Sequence, residues 1–413
     1  MKTTIAVLTL TLATSAFAQS TDANATRLID HILAHSQAYE TLSYLTDNIG
    51  PRLSGSKGAA LAVDYAEKRF REWGVDVHRQ AVMVPHWVRG EERGRLVSHN
   101  DQRIVLTALG GSVATPAAGL TADVVEITSF DQLAALGREK LRGKIVFYNS
   151  PMDMSLVESG RAFEAYSQAV VFRGTGASRA AEFGAVASVV RSVASASLRT
   201  PHTGALRYDD KQPKIPSAAM TTEDAELVHR LLAKGERVRM HLVLTPRTLP
   251  DAASSNIVAE IRGSERPDEI VLIGGHLDSW DLGTGAIDDG SGAAMVMETL
   301  RAMKELGIRP RRTIRGVLFM NEENGLRGGH QYFDDASKRE EVQKHIAVIE
   351  TDAGAAPPVG FISTLEGKNL ERLAARMKLL NRINPIRFDS SQHTGADTSP
   401  QTDPGKPRFG LVP

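Results

Sequence analysis

The chain has 413 residues, with 49 Lys+Arg balanced by 49 Asp+Glu and no cysteine. That length exceeds what one ordinary domain needs and is enough to bury a large core. A formal net charge of zero leaves no basic field for nucleic acid and no polybasic patch for a membrane surface. Without cysteine there are no disulfides, no lipobox anchor and no thiolate zinc site, so any transition metal must be held by His, Asp and Glu.

The N-terminus reads as a processing signal. Lys2 precedes the apolar run Ile5 to Ala16, and Ala16-Phe17-Ala18 is a small-x-small cleavage site. Residues 1–18 are expected to be removed before Gln19, which predicts a secreted or periplasmic protein. No later apolar stretch is long enough to span a bilayer. Helical spacing covers Ala25 to Ala38 and continues over Tyr39 to Thr46. Ile49 to Ser56 is a Gly/Pro/Ser loop, and Ser56 is placed to cap a helix from Lys57 to Trp73 that Gly74 ends. Val75 to Trp87 alternates as β-structure.

The composition shifts at Gly110-Gly111. From there to about Pro246, short strands alternate with Ala/Gly-rich turns. Gly143 to Tyr148, Val186 to Val193 and Val238 to Leu244 read as strands. Ala177 to Phe183 reads as a helix, as does Thr222 to Ala233, capped at Thr222. Residues 111–245 are therefore expected to form an inserted, β-rich module between a first part, 19–110, and a last part, 246–413. In the last part Asn256 to Ile261, Ile270 to Ile273, Ile314 to Met320 and Ile346 to Ile349 read as strands. Gly292 to Leu306, Leu326 to Ala336 and Leu370 to Leu380 read as helices. This alternation predicts an α/β fold with a mixed, mostly parallel sheet and helices on both faces. Ligands of such sheets bind beyond the carboxyl ends of the strands.

The chemically capable residues fall at those ends. His276 follows Val271-Leu272-Ile273, with Asp278 two residues on as an acceptor for its second nitrogen. Asp288 and Asp289 lie in a Gly-rich turn before a helix. Glu322 and Glu323 follow one strand, and Glu350 and Asp352 another. Singly, each cluster has a plain structural explanation: a loop histidine, an N-capping aspartate pair, a solvated glutamate pair, a loop carboxylate. Together they place hard oxygen or imidazole donors at one edge of one sheet, a set suited to zinc or a related divalent ion. One glutamate of the pair could bind metal while its neighbour takes a proton from water.

Gly274-Gly275-His276-Leu277-Asp278-Ser279-Trp280, Gly285 to Gly292, Glu322-Glu323-x-Gly325-Leu326-x-Gly328 and Glu350-x-Asp352 resemble the zinc exopeptidases related to aminopeptidases and glutamate carboxypeptidase. Within that family the chain is most similar to the carboxypeptidase Q type, and Ile49 to Ser56 is typical of that branch. The resemblance implies one zinc on His276, Asp288 and Asp352, and a second shared between Asp288 and Glu323. It implies Glu322 as general base, Asp278 as the residue that orients His276, and Asp289 as support for the turn at Asp288. It also implies that the insertion is a protease-associated domain bordering the substrate cleft. A histidine near the C-terminus, in a His-His-x-x-x-Asp-type segment, normally completes the second zinc site. Here the sequence stops at Pro413 on the apolar run Phe409 to Val412, with His330 and His393 as nominal substitutes. A truncated, impaired copy is the resulting expectation. The expected reaction is zinc-dependent hydrolysis of dipeptides or short peptides, and relatives of this type are often dimers. The polarity, aminopeptidase or carboxypeptidase, is left open. A metal-poor binding or receptor-like relative and a one-zinc aminoacyl cyclase are the competing functions on the same fold.

Overall fold

The computed structural model describes residues 23–352, 354, 360–390, 397 and 408–412. The signal segment 1–18 and His393 lie outside the described residues. The chain divides into two compact units, one formed by residues 1–84 with 251–413 and the other by 85–250.

The first unit is organised by a sheet whose strands run in the order Asp76–Val88, Arg247–Ile261, Arg312–Phe319, Arg266–His276, His345–Glu350, Arg408–Val412, Gly360–Ser363 and Arg387–Ser390. Arg266–His276 lies parallel to both Arg312–Phe319 and His345–Glu350. Its register sets His276 opposite Phe319 on one side and Gly274 opposite Glu350 on the other. The three chains therefore leave the sheet at one edge, which brings residues 276–278, 321–323 and 351–352 together. Arg247–Ile261 is antiparallel to its neighbour Arg312–Phe319, so the sheet is mixed as expected.

Side-chain alternation buries both faces of this sheet. Ile257, Ala259, Leu318 and Met320 pack on one side with Ala59, Ala62, Val63, Ala66 and Phe70 of the helix Lys57–Glu72, and with Ala293, Val296, Met297 and Leu300 of the helix Ser291–Glu305. Val258, Val317, Phe319, Leu272 and Val348 pack on the other with Tyr332 and Ala336 of the helix Arg327–Lys338. Ser56 caps Lys57–Glu72 by accepting a 3.1 Å hydrogen bond from the Ala59 N–H. Gly74, at φ 68, supplies the left-handed residue that ends it. The predicted continuous helix through Ala38 is interrupted: residues 23–35 are helical, Ser36-Gln37 are not, and Ala38–Ser43 leads into a wider turn, Tyr44–Ile49. Arg301 and Glu298, both buried, fix the break. The Gln37 N–H donates to Glu298 Oε2 at 3.2 Å, and Arg301 Nη2 donates to the His35 carbonyl at 3.1 Å.

The second unit starts at Pro85, well ahead of the expected boundary at residue 111. The strand Glu92–Leu96 accounts for the difference, because it pairs antiparallel with both Gln102–Ile104 and Arg239–Leu244. The unit is α/β rather than β-rich. Leu120–Ile127, Ile145–Tyr148, Ala187–Arg191 and Ser217–Met220 are parallel neighbours. The helices Phe130–Leu141, Met154–Glu158, Ala162–Ala169, Val171–Glu182 and Thr222–Ala233 lie in the same unit. The last is capped by Thr221, not Thr222: the Thr221 hydroxyl accepts from the Asp224 N–H at 3.3 Å.

Candidate metal centre

His276 ends its strand 1% exposed, and its backbone N–H and both ring nitrogens are engaged. Its backbone N–H donates to Asp289 Oδ2 at 2.9 Å. Nδ1 lies 3.0 Å from the Asp278 carbonyl oxygen, an acceptor only, which assigns the ring proton to Nδ1. Nε2 then turns towards Asp288 Oδ1 at 3.0 Å and Asp352 Oδ1 at 3.4 Å. Donor atoms of His276, Asp288 and Asp352 all lie within 4.8 Å of one another. Three electron-pair donors so converged repel unless a proton or a cation sits among them. Burial alone would lower the His276 value. Hydrogen bonds to Asp288 and Asp352, with the charge of Asp289, outweigh it and hold the imidazole well above the ordinary histidine value. The donor set, one imidazole and two carboxylates with the opposite ring nitrogen anchored, fits zinc.

Asp278 acts differently from the sequence expectation. It does hold His276, but through its backbone carbonyl; its carboxylate Oδ1 is 3.8 Å from Nδ1. That oxygen instead accepts the N–H groups of Asn321 at 2.7 Å and Glu322 at 3.1 Å. The turn at residues 276–278 points the carbonyl at the ring and leaves the carboxylate facing the adjacent strand end. Asp278 thus ties the loop carrying Glu322 to the loop carrying His276. Asp289 is fully buried and joins two elements, accepting from the His276 N–H and, through Oδ1, from the Gly292 N–H at 2.9 Å. It lies just before the helix Ser291–Glu305, where a carboxylate is favoured.

Glu322 is pushed up to about 8, first by burial and then by the like charges of Asp352, Asp278 and Asp288, with His276 opposing. Glu323 is also raised well above the ordinary carboxylate value, by burial first and then by Asp288. It stands outside the His276, Asp288 and Asp352 group, and its Oε1 accepts the Trp280 N–H at 3.1 Å. His330 is exposed on the helix Arg327–Lys338 and is not part of the group.

Other residues around the centre fix its loops without being candidate ligands. Asn256 is fully buried. Its Oδ1 accepts the Met320 N–H at 2.9 Å, and its Nδ2 donates to the Gly328 carbonyl at 2.9 Å, bracketing the loop that bears both glutamates. Ser54 accepts from Asn321 Nδ2 at 2.8 Å on the other side of that loop. Arg52 is buried within carbonyl oxygens of the loop following His276.

A family model described as peptidase family M28 matches residues 256–405, the span that contains these strand ends. Carboxypeptidase Q of Homo sapiens is 42% identical over 380 residues, covering 92% of this chain and 77% of that protein. A peptidase M28 precursor from Shewanella amazonensis SB2B has a similar structure. Its TM-score is 0.89 at 35% identity, over 95% of this chain and 88% of that one. BSAP, a zinc aminopeptidase from Bacillus subtilis, shares the fold at a TM-score of 0.66 and 21% identity, over 91% of this chain and 84% of that one. With the identity extending over nearly all of the chain and most of its relatives, the chain belongs to peptidase family M28.

Proposed function

We propose that this metallo-exopeptidase hydrolyses dipeptides and short peptides, with zinc held by His276, Asp288 and Asp352 and a second zinc held by Asp288 and Glu323. The observation that carries this reading is the buried imidazole whose free nitrogen faces two carboxylate oxygens, beside a glutamate held protonatable near neutral pH. When bound, zinc supplies Lewis-acid polarisation of the attacking water and the scissile carbonyl.

The protein's own groups do the rest. Glu322 accepts a proton from the attacking water and returns it to the leaving amine. A carboxyl value near 8 belongs to the metal-free protein. A cation among the same carboxylates lowers it, so that Glu322 is ionised and able to act as a base. The Asp278 carboxylate holds the Glu322 backbone, and its carbonyl holds His276, so base and metal ligand are fixed by one residue. A peptide substrate follows from similarity to carboxypeptidase Q.

The test is hydrolysis of free dipeptides by zinc-reconstituted protein, alongside N-acetylated and C-amidated versions. Cleavage of the free dipeptide is expected, and the block that abolishes it reads which terminus the cleft requires. A folded, zinc-loaded protein that cleaves no free dipeptide would refute the reading. The proposal includes export, motivated by residues 1–18. Sequencing the N-terminus of protein recovered from the periplasm or medium should find Gln19 first. Recovery only from the cytoplasm with Met1 retained would overturn export. Among the described residues no helix is long and apolar enough to cross a membrane.

A further inference from the structure

Arg52 is 0% exposed and sits in the loop before the helix Lys57–Glu72. All of its side-chain hydrogen-bond partners are backbone carbonyls. Nε donates to Leu277 O at 2.9 Å. Nη1 donates to Thr284 O at 2.6 Å, Gly50 O at 3.0 Å and Leu45 O at 3.4 Å, and Nη2 to Gly285 O at 2.8 Å. Its backbone N–H donates to Ser279 Oγ at 3.1 Å. One side chain therefore pins both ends of the segment 277–285 to the loop at residue 50.

That segment joins two of the proposed ligands, His276 and Asp288. It begins directly after His276, contains the Asp278 carbonyl that anchors the imidazole, and presents the Trp280 N–H to Glu323. It ends three residues before Asp288. The backbone is cut to fit the guanidinium. Gly285 has φ 58, and a Cβ there would lie 2.3 Å from Ser279 Cβ and 2.8 Å from Arg52 Nη2. A Cβ on Gly290 would lie 2.5 Å from the Gly285 carbonyl and 3.2 Å from Nη2.

A buried cation without a directly paired carboxylate is costly, and an apolar filler would serve packing better. The charge is nonetheless felt where it is useful. Burial lowers the Arg52 value, while Asp278, Asp289, Glu323 and Asp288, the carboxylates of the centre, raise it. We infer that Arg52 is the positioning residue of the metal centre, locking segment 277–285 so that His276 and Asp288 converge and the Trp280 N–H meets Glu323, and offsetting part of the carboxylates' negative charge from behind. The inference rests on the metal-ligand reading above.

The test uses R52K, which keeps the charge but cannot span the carbonyls, and G285A, which disturbs the same contact from the opposite side. Zinc affinity is measured by competition with a chromophoric chelator, and melting temperature with and without zinc. In both variants zinc affinity is expected to fall about 10- to 100-fold, the scale for groups that orient metal ligands. The zinc-induced rise in melting temperature should shrink accordingly, and kcat should fall with KM little changed. A purely structural role would lower zinc-free and zinc-loaded melting temperatures equally and leave zinc affinity at the wild-type value. That result in either variant overturns the inference while leaving the metal reading intact. Wild-type protein that binds no zinc overturns both.

Discussion

Glu322→Gln is expected to lower kcat about 100- to 10,000-fold, the range for loss of a general base, while zinc content and fold stay as in the wild type. The amide matches the carboxylate in shape, and the backbone N–H of residue 322 still reaches Asp278 Oδ1. What it cannot do is carry a proton from water to the leaving amine. The loss should appear in kcat with KM little affected, because proton transfer is needed only on the way through the transition state. Glu323→Gln separates the two glutamates. Its expected defect is weakened zinc binding, since the side chain is one of the pair proposed for the second zinc and is held by the Trp280 N–H. Steady-state kinetics on a free dipeptide, with zinc measured in each sample, checks both. A Glu322→Gln protein with full zinc that keeps more than about a tenth of wild-type kcat would sink the assignment, a tenth being well outside the general-base range.

The same contrast shows what could be read from sequence. The positions of His276, Glu322, Glu323 and Asp352 are readable because each follows an apolar run that forms a strand, and that of Asp288 because it lies in a Gly-rich turn before a helix. The parallel registers of the three central strands bring the strand-end positions to one edge. The role of Asp278 was only half legible. Spacing locates the residue but not which of its oxygens faces the ring, and the carbonyl, not the carboxylate, does so. The contacts of Arg52 and Asn256 are not readable for a different reason. Arg52 lies in the branch-typical run Ile49 to Ser56, but several partners of both residues are main-chain groups far along the chain, and any residue type supplies a carbonyl or an N–H.

In the second unit Thr222–Ala233 is readable as a helix, whereas glycine obscures others. Val171–Glu182 contains Gly174 and Gly176, which weaken helical propensity. Yet a Cβ on Gly176 would come within 2.8 Å of the Tyr148 ring, so close packing on the neighbouring strand requires the glycine. Gly137, at φ 59, likewise interrupts Phe130–Leu141 and breaks its periodicity. Tertiary packing there overrides the local preference that sequence reading depends on.

Stripping the metal is expected to produce a protein whose stability falls as pH rises from about 4.5 to about 8. In the metal-free fold Glu322 titrates at about 8 against an ordinary value of 4.5, with burial as the main cause. Across that window the folded protein keeps a proton that the unfolded chain has released, so raising the pH favours unfolding. The contribution is fully present below 4.5 and is lost as pH passes through 8. A shift of this size corresponds to on the order of a few kcal/mol. Asp289 and Glu323 are raised well above ordinary carboxylates, and His276 well above an ordinary imidazole. Each holds its proton longer in the fold than in the unfolded chain, so each acts with the same sign. Zinc replaces protons among these groups, and its binding should release protons and flatten the profile. Glu322→Gln removes one share of the penalty. The metal-free variant should match wild type near pH 4.5 and exceed it at pH 8 and above. Urea denaturation of chelator-treated protein between pH 4.5 and 9, with and without added zinc, reads all of these curves. A metal-free stability that stays level or climbs across that range would show that the carboxylates are not held together as the structure describes.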